Sequence, residues 1–355
     1  MKVLSIVGAR PQFVKLAPVA RALADAQHEH VIVHTGQHYD AGMSDVFFAG
    51  LHIADPNVHL GVGSASHGVQ TGAMLSSLDA VIDEHRPDWV LVYGDTNSTL
   101  AGALAAVKLQ VAVAHLEAGL RSFNRKMPEE HNRVLTDHAA DLLLAPTHVA
   151  MQHLADEGLS QRSRLVGDVM TDVCLATRDS VGSERPTLPT ELEAADGFLV
   201  ATIHRAENTD DAGRLRAVVT ALQALPLPVV LLAHPRLVAR AVGINLALTS
   251  GAVHQVPPVG YADLVRLVLN SRGVVTDSGG LQKEAFLLGV PCTTLRTETE
   301  WVETLEGGWN VLDPDLSRVG ELAARPAPLA SRGTPYGDGG AATRVTAALE
   351  STAIA

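Results

Sequence analysis

Short, continuously apolar segments recur along the whole chain, and longer helical patterns separate them. In the first half these segments cover residues 3–7, 31–35, 89–94, 111–116 and 142–146. Strands without apolar–polar alternation are covered on both faces, as in a parallel sheet. The pattern resumes at residues 198–203, 229–234, 253–257, 273–276 and 291–296. Two such series predict an α/β chain with two Rossmann-like domains.

The length of the chain agrees with two domains. Its 355 residues exceed the roughly 250–300 at which single hydrophobic cores stop growing. A polar, proline-containing segment, residues 178–197, interrupts the rhythm and is interpreted as a linker with a short helix. Ligands of open parallel sheets bind beyond the carboxyl ends of the strands, so we expect the two sheets to face each other across a shared cleft.

Composition excludes several classes of protein. A formal net charge of -12 argues against nucleic acid as a partner. Cys174 and Cys292 lie far apart, in no metal or redox spacing, and are predicted to be core residues in a reducing compartment. The chain has neither a signal peptide nor the ~20 apolar residues of a membrane helix, so we expect a cytoplasmic protein without a membrane partner. The histidines show no ligand spacing, and we expect no metal.

The loop after the first strand reads GARPQFVK and offers two cations beside a helix start, Arg10 and Lys15. A dinucleotide site would need G-x-G-x-x-G at this point, and its absence disfavours a nicotinamide-dependent enzyme. Cations and backbone N–H groups that converge at a helix N-terminus suit a diphosphate. Solvated surface cations are the alternative interpretation.

Carboxylates follow three successive strand ends of the first domain: Asp95, Glu117 and Glu129. Asp95 alone would be interpreted as part of a helix cap, with Thr96 or Asn97. Glu129 and Arg133 are four residues apart and either face the cleft together or form a surface ion pair. Together the three carboxylates predict a cleft that can transfer protons.

The second domain repeats this arrangement with different side chains. His204 and Arg205 directly follow a strand, where a histidine is placed for catalysis or for contact with a leaving group. The stretch VVTDSGGLQKEAFLLGVP then brings Ser278, Gly279 and Gly280 to a helix start, and they can present N–H groups and a hydroxyl to phosphate. Glu284 lies one turn further into that helix.

Seven motifs resemble, in this order, the non-hydrolysing UDP-N-acetylglucosamine 2-epimerases: GARPQFVKLAP, GDTNSTLA, EAGLRSF, MPEEHNR, HRAEN, TDSGGLQKEA and PYGDGGAATRV. The resemblance covers essentially the whole chain. It implies a GT-B type fold, commonly a homodimer, and a last helix from near Gly339 that packs on the N-terminal domain. The implied domains are residues 1–172 with 339–355, and residues 173–338.

The resemblance also implies the chemistry and the residue roles. Members of the family interconvert UDP-GlcNAc and UDP-ManNAc without a cofactor, by elimination of UDP to 2-acetamidoglucal and re-addition. By similarity the acid/base candidates are Asp95, Glu117 and Glu129, and His204 contacts the leaving diphosphate. The implied UDP ligands are Arg10, Lys15, Arg205, Ser278, Gly279 and Gly280, with Glu284 on the ribose hydroxyls. Arg133, Gln37 and His38 are supporting candidates.

The chain departs from the family pattern at two places. Trp301 occupies the position at which many members carry an arginine near the nucleotide, so no arginine contact is carried over. Members often hold a regulatory UDP-GlcNAc near Q-H-R, whereas here Gln37 and His38 are followed by Tyr39, and residues 61–69 contain no Lys or Arg. This argues against allosteric activation by substrate.

Three other functions remain open from the sequence. A hydrolysing relative would release ManNAc and UDP, because it shares the elimination step. A GT-B glycosyltransferase would transfer the sugar to an acceptor. A nucleotide-sugar binding module would bind UDP without turnover.

Overall fold

The computed structural model describes residues 1–37, 54–182, 186, 192 and 197–353. The chain forms two compact units: the first comprises Met1–Val173 and Thr334–Ala355, and the second Cys174–Gly333. Each unit is built on one sheet whose neighbouring strands pair in parallel. The predicted α/β class with two parallel-sheet domains is confirmed.

The first unit contains a seven-stranded sheet in the order β3-β2-β1-β4-β5-β6-β7. Its strands are β1 (Lys2–Val7), β2 (Glu29–His34), β3 (Val58–His59), β4 (Trp89–Tyr93), β5 (Ala112–Leu116), β6 (Leu142–Ala145) and β7 (Ser163–Leu165). Its helices are α1 (Arg10–Asp25), α2 (His67–His85), α3 (Asn97–Lys108), α4 (Pro128–Ala139) and α5 (His148–Asp156). A further helix, α6 (Val169–Val181), begins in the first unit and continues past Val173 into the residues of the second. A short 3-10 helix, Ser160–Arg162, precedes β7.

The second unit contains a six-stranded sheet in the order β10-β9-β8-β11-β12-β13. Its strands are β8 (Leu199–Thr202), β9 (Val229–Leu232), β10 (Val253–Val256), β11 (Gly273–Thr276), β12 (Cys292–Thr294) and β13 (Asn310–Leu312). Its helices are α7 (Ala206–Thr209), α8 (Ala212–Gln223), α9 (Pro235–Gly243), α10 (Tyr261–Asn270), α11 (Gly279–Leu288) and α12 (Val319–Ala323), and a 3-10 helix spans Val302–Gly308.

All ten predicted strands are present, and no end differs from the prediction by more than two residues. The sequence pattern missed β3, β7 and β13, which are two or three residues long and lie at sheet edges, where one side remains unpaired. The predicted linker was placed too early, because α6 continues to Val181. Most of that linker lies outside the described residues.

Two helices begin where the sequence predicts. Helix α3 begins after Thr96, whose hydroxyl accepts a hydrogen bond from the backbone N–H of Thr99, so Thr96 rather than Asn97 is the N-cap. Helix α4 begins at Pro128, which lacks the N–H that would be unpaired there.

The last helix, α13 (Ala341–Ser351), belongs to the first unit and begins two residues after the predicted Gly339. Val345 and Leu349 are buried in the same core cluster as Leu16 and Leu23 of α1. Helix α13 therefore packs in the same hydrophobic core as α1.

Asp172 of α6 caps α13. Its two carboxylate oxygens accept hydrogen bonds from the backbone N–H groups of Ala341 and Ala342, at 3.0 and 2.7 Å. These N–H groups have no partner within the helix, so the carboxylate satisfies donors that would otherwise remain unpaired.

Both cysteines are free and buried, as expected of core residues. None of the helices within the described ranges is at once long enough and apolar enough to cross a membrane.

We expect Asp172→Ala to lower the free energy of unfolding by about 1–2 kcal/mol, because the cap of α13 is lost. Thermal unfolding checks this result. Asp179→Ala is the matched control, since Asp179 is an exposed carboxylate on the same helix. Equal loss of stability in both variants would contradict the capping role.

Candidate active site

Four of the predicted site motifs lie where the strand order of a sheet reverses. This point falls between β1 and β4 in the first unit and between β8 and β11 in the second. Loops at the carboxyl ends of such neighbouring strands diverge and leave room for a ligand. The motifs with Arg10 and Asp95 follow β1 and β4, and those with His204 and Ser278 follow β8 and β11.

Gln12 joins the loops after β1 and β4. Its side-chain oxygen accepts hydrogen bonds from the N–H groups of Gly8 and Ala9 at 2.8 and 3.0 Å. Its amide nitrogen donates to the carbonyl of Tyr93 at 2.8 Å. The buried glutamine thereby fixes the turn from which α1 starts, with Arg10 as its first residue.

Arg133 of α4 joins Asp95 to a second carboxylate. Its guanidinium lies 2.5 Å from Asp95 Oδ2 and 2.8 Å from Glu130 Oε2. The same helix holds the backbone of Asp95, because Asn132 donates a hydrogen bond to the Asp95 carbonyl at 2.9 Å. Asp95 is therefore fixed at both its side chain and its main chain by α4.

Glu130 and Glu129 are neighbours in sequence but have different surroundings. Glu130 is buried, and its carboxylate accepts hydrogen bonds from Ser122, from the Phe123 N–H and from Arg133. Burial by itself raises the pKa of Glu130, but these donors outweigh burial and lower its pKa. Glu129 is only half-buried. Arg133 pairs with Glu130, three residues away, in addition to Asp95.

Lys15 and Glu117 form a nearly buried ion pair in the first unit. Burial favours the neutral amine, but the Glu117 carboxylate outweighs burial and raises the pKa of Lys15. Both charged groups lie against Gly94, because a Cβ on this glycine would be 3.1 Å from Glu117 Oε2 and 3.2 Å from Lys15 Nζ. The structure thus brings Lys15, Glu117 and the loop of Asp95 together.

The backbone of Glu117 is strained. Its φ of 73° lies in the left-handed region, which residues with a side chain seldom adopt. Its N–H donates to the carbonyl of Leu144 on β6. Such strain is concentrated at functional sites, where surrounding contacts maintain it.

Helix α11 of the second unit begins directly after β11. Ser278 is its N-cap, and the hydroxyl oxygen accepts a hydrogen bond from the N–H of Leu281 at 3.4 Å. Gly279 and Gly280 are its first two residues. First-turn N–H groups have no acceptor within a helix, so this start suits an anion.

Asp277 is a site residue that the sequence reasoning missed. Its carboxylate is fully buried and accepts hydrogen bonds from the N–H groups of His204 and Arg205 and from the side chain of Asn208. Oδ1 also lies 3.3 Å from His204 Nδ1. Burial lowers the pKa of His204, and the Asp277 carboxylate offsets this only in part. A buried acid directly before the Ser-Gly-Gly turn was the available signal.

Glu284 is buried in α11 and lies near Tyr261 of α10. Burial raises the pKa of the Tyr261 phenol, and the Glu284 carboxylate raises it further. Burial likewise raises the pKa of the Cys174 thiol to about 12, with Glu284 as the next cause.

Trp301 is buried beside the start of α11. The Lys283 ammonium lies over its ring, 3.8 Å from the centroid. A Cβ on Gly279 would lie 3.5 Å from Trp301 Nε1 and 2.4 Å from a carboxylate oxygen of Glu300. The indole and Glu300 therefore lie next to the first residue of α11, and a side chain at position 279 would displace the Glu300 carboxylate.

Gln37 contacts the start of α3. Its side-chain oxygen accepts hydrogen bonds from the N–H and the hydroxyl of Ser98 at 3.1 and 2.7 Å. His38, the other supporting candidate, lies outside the described residues. Among the residues that are described, no three His, Cys, Asp or Glu side chains are grouped to hold a metal ion.

Two parallel-sheet α/β units are typical of nucleotide-sugar enzymes with the GT-B fold, when one has carboxylates at its strand ends and the other a serine-capped helix that begins with two glycines. A calicheamicin glycosyltransferase shares this fold, with a TM-score of 0.62 at 16% identity over 99% of each chain. The family model described as UDP-N-acetylglucosamine 2-epimerase matches residues 21–350. The chain belongs to this family, whose members are isomerases.

Individual relatives agree with this family. A UDP-2,3-diacetamido-2,3-dideoxy-D-glucuronate 2-epimerase of Pseudomonas aeruginosa is 50% identical over 321 residues, 88% of each chain. A UDP-N-acetylglucosamine 2-epimerase of Methanocaldococcus jannaschii is 40% identical over 326 residues, 89% of each chain. The crystal structure of a Methanocaldococcus jannaschii UDP-GlcNAc 2-epimerase with UDP-GlcNAc and UDP has a TM-score of 0.86 at 37% identity, covering 99% of this chain and 100% of that one.

Because Glu130 and Glu129 have different surroundings, replacing each by glutamine should lower the free energy of unfolding by different amounts. Glu130→Gln should lower the free energy of unfolding by about 1–3 kcal/mol at pH 7, because buried donors lose their carboxylate. The pKa of Glu130 is lower in the folded protein, so this stabilisation is present above the unfolded pKa of about 4.3 and disappears as pH falls through the folded value. Urea unfolding of the wild-type protein and of Glu130→Gln, at pH 7 and at lower pH, should show the difference between their free energies of unfolding becoming smaller as pH falls.

Glu129→Gln is the matched control for this experiment. It makes the same chemical change at the adjacent, half-buried position and should alter stability by no more than about 0.5 kcal/mol. Equal destabilisation by both substitutions, or a difference that persists in acid, would contradict the assignment of Glu130 as the structural carboxylate.

Proposed function

We propose that this chain epimerises UDP-GlcNAc at C2 to UDP-ManNAc, reversibly, by elimination and re-addition of UDP. The carrying observation is the pairing of Asp95 and Glu117 with cations at the strand ends of one unit. The start of α11, with an N-cap hydroxyl and two glycines, supplies the complementary anion site in the other unit. In this proposal both sites act on a single substrate.

Elimination and re-addition of UDP require both carboxylates and N–H donors. No carbonyl acidifies the C2 proton, so the C1–O bond must weaken first, and positive charge develops at C1. Elimination breaks C1–O and C2–H, forms the C1–C2 double bond of 2-acetamidoglucal, and transfers the proton to a carboxylate. Re-addition reverses these changes, with a proton delivered to the opposite face of C2. Carboxylates stabilise the charge at C1 and carry the protons, and N–H donors stabilise the departing UDP.

The proposed proton carriers are Asp95, Glu117 and Glu129. The Lys15 ammonium forms an ion pair with Glu117. In this scheme it also contributes positive charge near the diphosphate. Arg133 orients Asp95.

The nucleotide is assigned to the second unit. Ser278, Gly279 and Gly280 donate to the diphosphate, Arg205 and Arg10 add positive charge, and Glu284 accepts from the ribose hydroxyls. His204, whose pKa is lowered by burial, contacts the leaving phosphate as a neutral hydrogen-bond donor. We propose that the enzyme works in the cytoplasm and that it is a homodimer. Light scattering of the purified protein measures the molar mass and so tests the homodimer.

Proton NMR of the protein with UDP-GlcNAc in heavy water tests the proposal. We expect deuterium at C2 of both UDP-GlcNAc and UDP-ManNAc, with no added cofactor. Turnover with a retained C2 proton would contradict the mechanism. Accumulation of free ManNAc would instead identify a hydrolysing enzyme, and UDP release only with an acceptor would identify a glycosyltransferase.

UDP-2,3-diacetamido-2,3-dideoxy-D-glucuronate is a second candidate substrate. The Pseudomonas aeruginosa relative named for it is 50% identical, compared with 40% for the Methanocaldococcus jannaschii enzyme. The same exchange assay with both UDP-sugars, compared by kcat/KM, decides between them.

We expect Asp95→Asn and Glu117→Gln to reduce turnover by roughly 10²–10⁴-fold, the usual contribution of a proton-transferring group. The affinity for UDP, measured by calorimetry, should change little, because the proposed nucleotide ligands lie mainly in the second unit. Near-wild-type turnover in both variants would contradict these roles.

A further inference from the structure

His115 of β5 is fully buried below the loop that carries Asp95. Its Nδ1 lies 2.6 Å from Asp137 Oδ1, and its Nε2 lies 2.7 Å from the carbonyl oxygen of Gly94. Gly94 immediately precedes Asp95 and has a left-handed φ of 64°. The imidazole therefore bridges α4 and the turn from which Asp95 projects.

The other oxygen of Asp137 fixes the second loop. Oδ2 accepts a hydrogen bond from the N–H of Gly119 at 3.0 Å and lies 2.7 Å from Arg121 Nη1. Gly119 follows Glu117 by two residues, and both have left-handed backbones. One buried carboxylate thus holds the Glu117 loop directly and the Asp95 loop through His115.

The hydrogen-bond geometry gives each ring nitrogen of His115 its own partner. A carbonyl oxygen can only accept, so Nε2 donates to the carbonyl of Gly94. The Nδ1 atom lies against Asp137, and burial raises the pKa of that carboxyl, but His115 and then Arg121 outweigh burial and lower it. His30 has different surroundings, because its Nε2 contacts the hydroxyl of Ser5 and burial lowers its pKa to about 4.

We propose that His115 and Asp137 are a positioning pair that sets the Asp95 and Glu117 loops relative to each other for proton transfer at C2. Neither residue touches the substrate in this account. Misplacement of a reacting group by about 1 Å can cost roughly 10²-fold in rate, so the pair contributes to turnover without contributing to UDP binding. This inference rests on the proposed function, because its test measures kcat for epimerisation at C2.

Two substitutions at position 115 separate the two hydrogen bonds. The amide nitrogen of Asn occupies the place of Nδ1, so His115→Asn keeps the Asp137 contact and releases Gly94. The amide nitrogen of Gln reaches the place of Nε2, so His115→Gln keeps the Gly94 contact. Either substitution breaks the link between Gly94 and Asp137, so we expect kcat to fall roughly 10²-fold in both variants, with an unchanged Kd for UDP.

A kcat close to the wild-type value in either variant would overturn the inference. His30→Gln is the matched control, because it removes another histidine from the same sheet and should leave kcat unchanged. Each variant is assayed well below its own midpoint of thermal unfolding. Absence of C2 exchange in the wild-type protein would count against the proposed function itself, whereas wild-type exchange with variants that retain the wild-type kcat counts against the positioning pair alone.

A wild-type measurement covers the case in which a variant does not fold. Nitrogen-15 NMR of histidine-labelled protein should show at least one histidine whose Nε2 hydrogen is protected from exchange with solvent, as expected of the buried bond from His115 to Gly94. A spectrum in which no histidine Nε2 hydrogen is protected would overturn the inference.

Discussion

Cations lie against the carboxylates at the strand ends of the first unit, and this pairing determines how its loops are held. The pairs are Lys15 with Glu117, Arg133 with Asp95 and Glu130, and Arg121 with Asp137. Removing one partner from such a pair is destabilising, because the remaining charge is left uncompensated. The loops after β4 and β5 therefore cannot relax independently, and the left-handed backbone of Glu117 is tolerated as a result.

The two units use different physical means for opposite charges. The first holds carboxylates beside cations, which suits positive charge at a sugar carbon. The second uses the N-terminus of α11, with Glu284 one turn further along. A chain with net charge -12 cannot attract an anionic nucleotide by its overall field, so local donors must supply the binding energy. Trp301 and Lys283 show how closely that turn is packed.

The sequence predicted most of the fold because strands covered on both faces are apolar throughout. It missed β3, β7 and β13, whose edge positions and short lengths leave no such pattern. Placement of Asp95 and Glu117 near one another was also predictable, since parallel strands end at the same edge of a sheet. The distinction between Glu129 and Glu130 and the role of Asp137 were not predictable. Glu130 depends on how the loop with Ser122 and Phe123 folds back onto α4, and Asp137 depends on His115, which lies on a different element. No local pattern reveals either arrangement.

The most direct test is a crystal structure of the Glu117→Gln variant with UDP-GlcNAc, in which slow turnover preserves the substrate. The account predicts that the diphosphate contacts the N–H groups of Gly279 and Gly280, and that C2 of the sugar lies beside Asp95 and residue 117. A nucleotide bound away from the start of α11, or a sugar whose C2 is remote from both side chains, would contradict it.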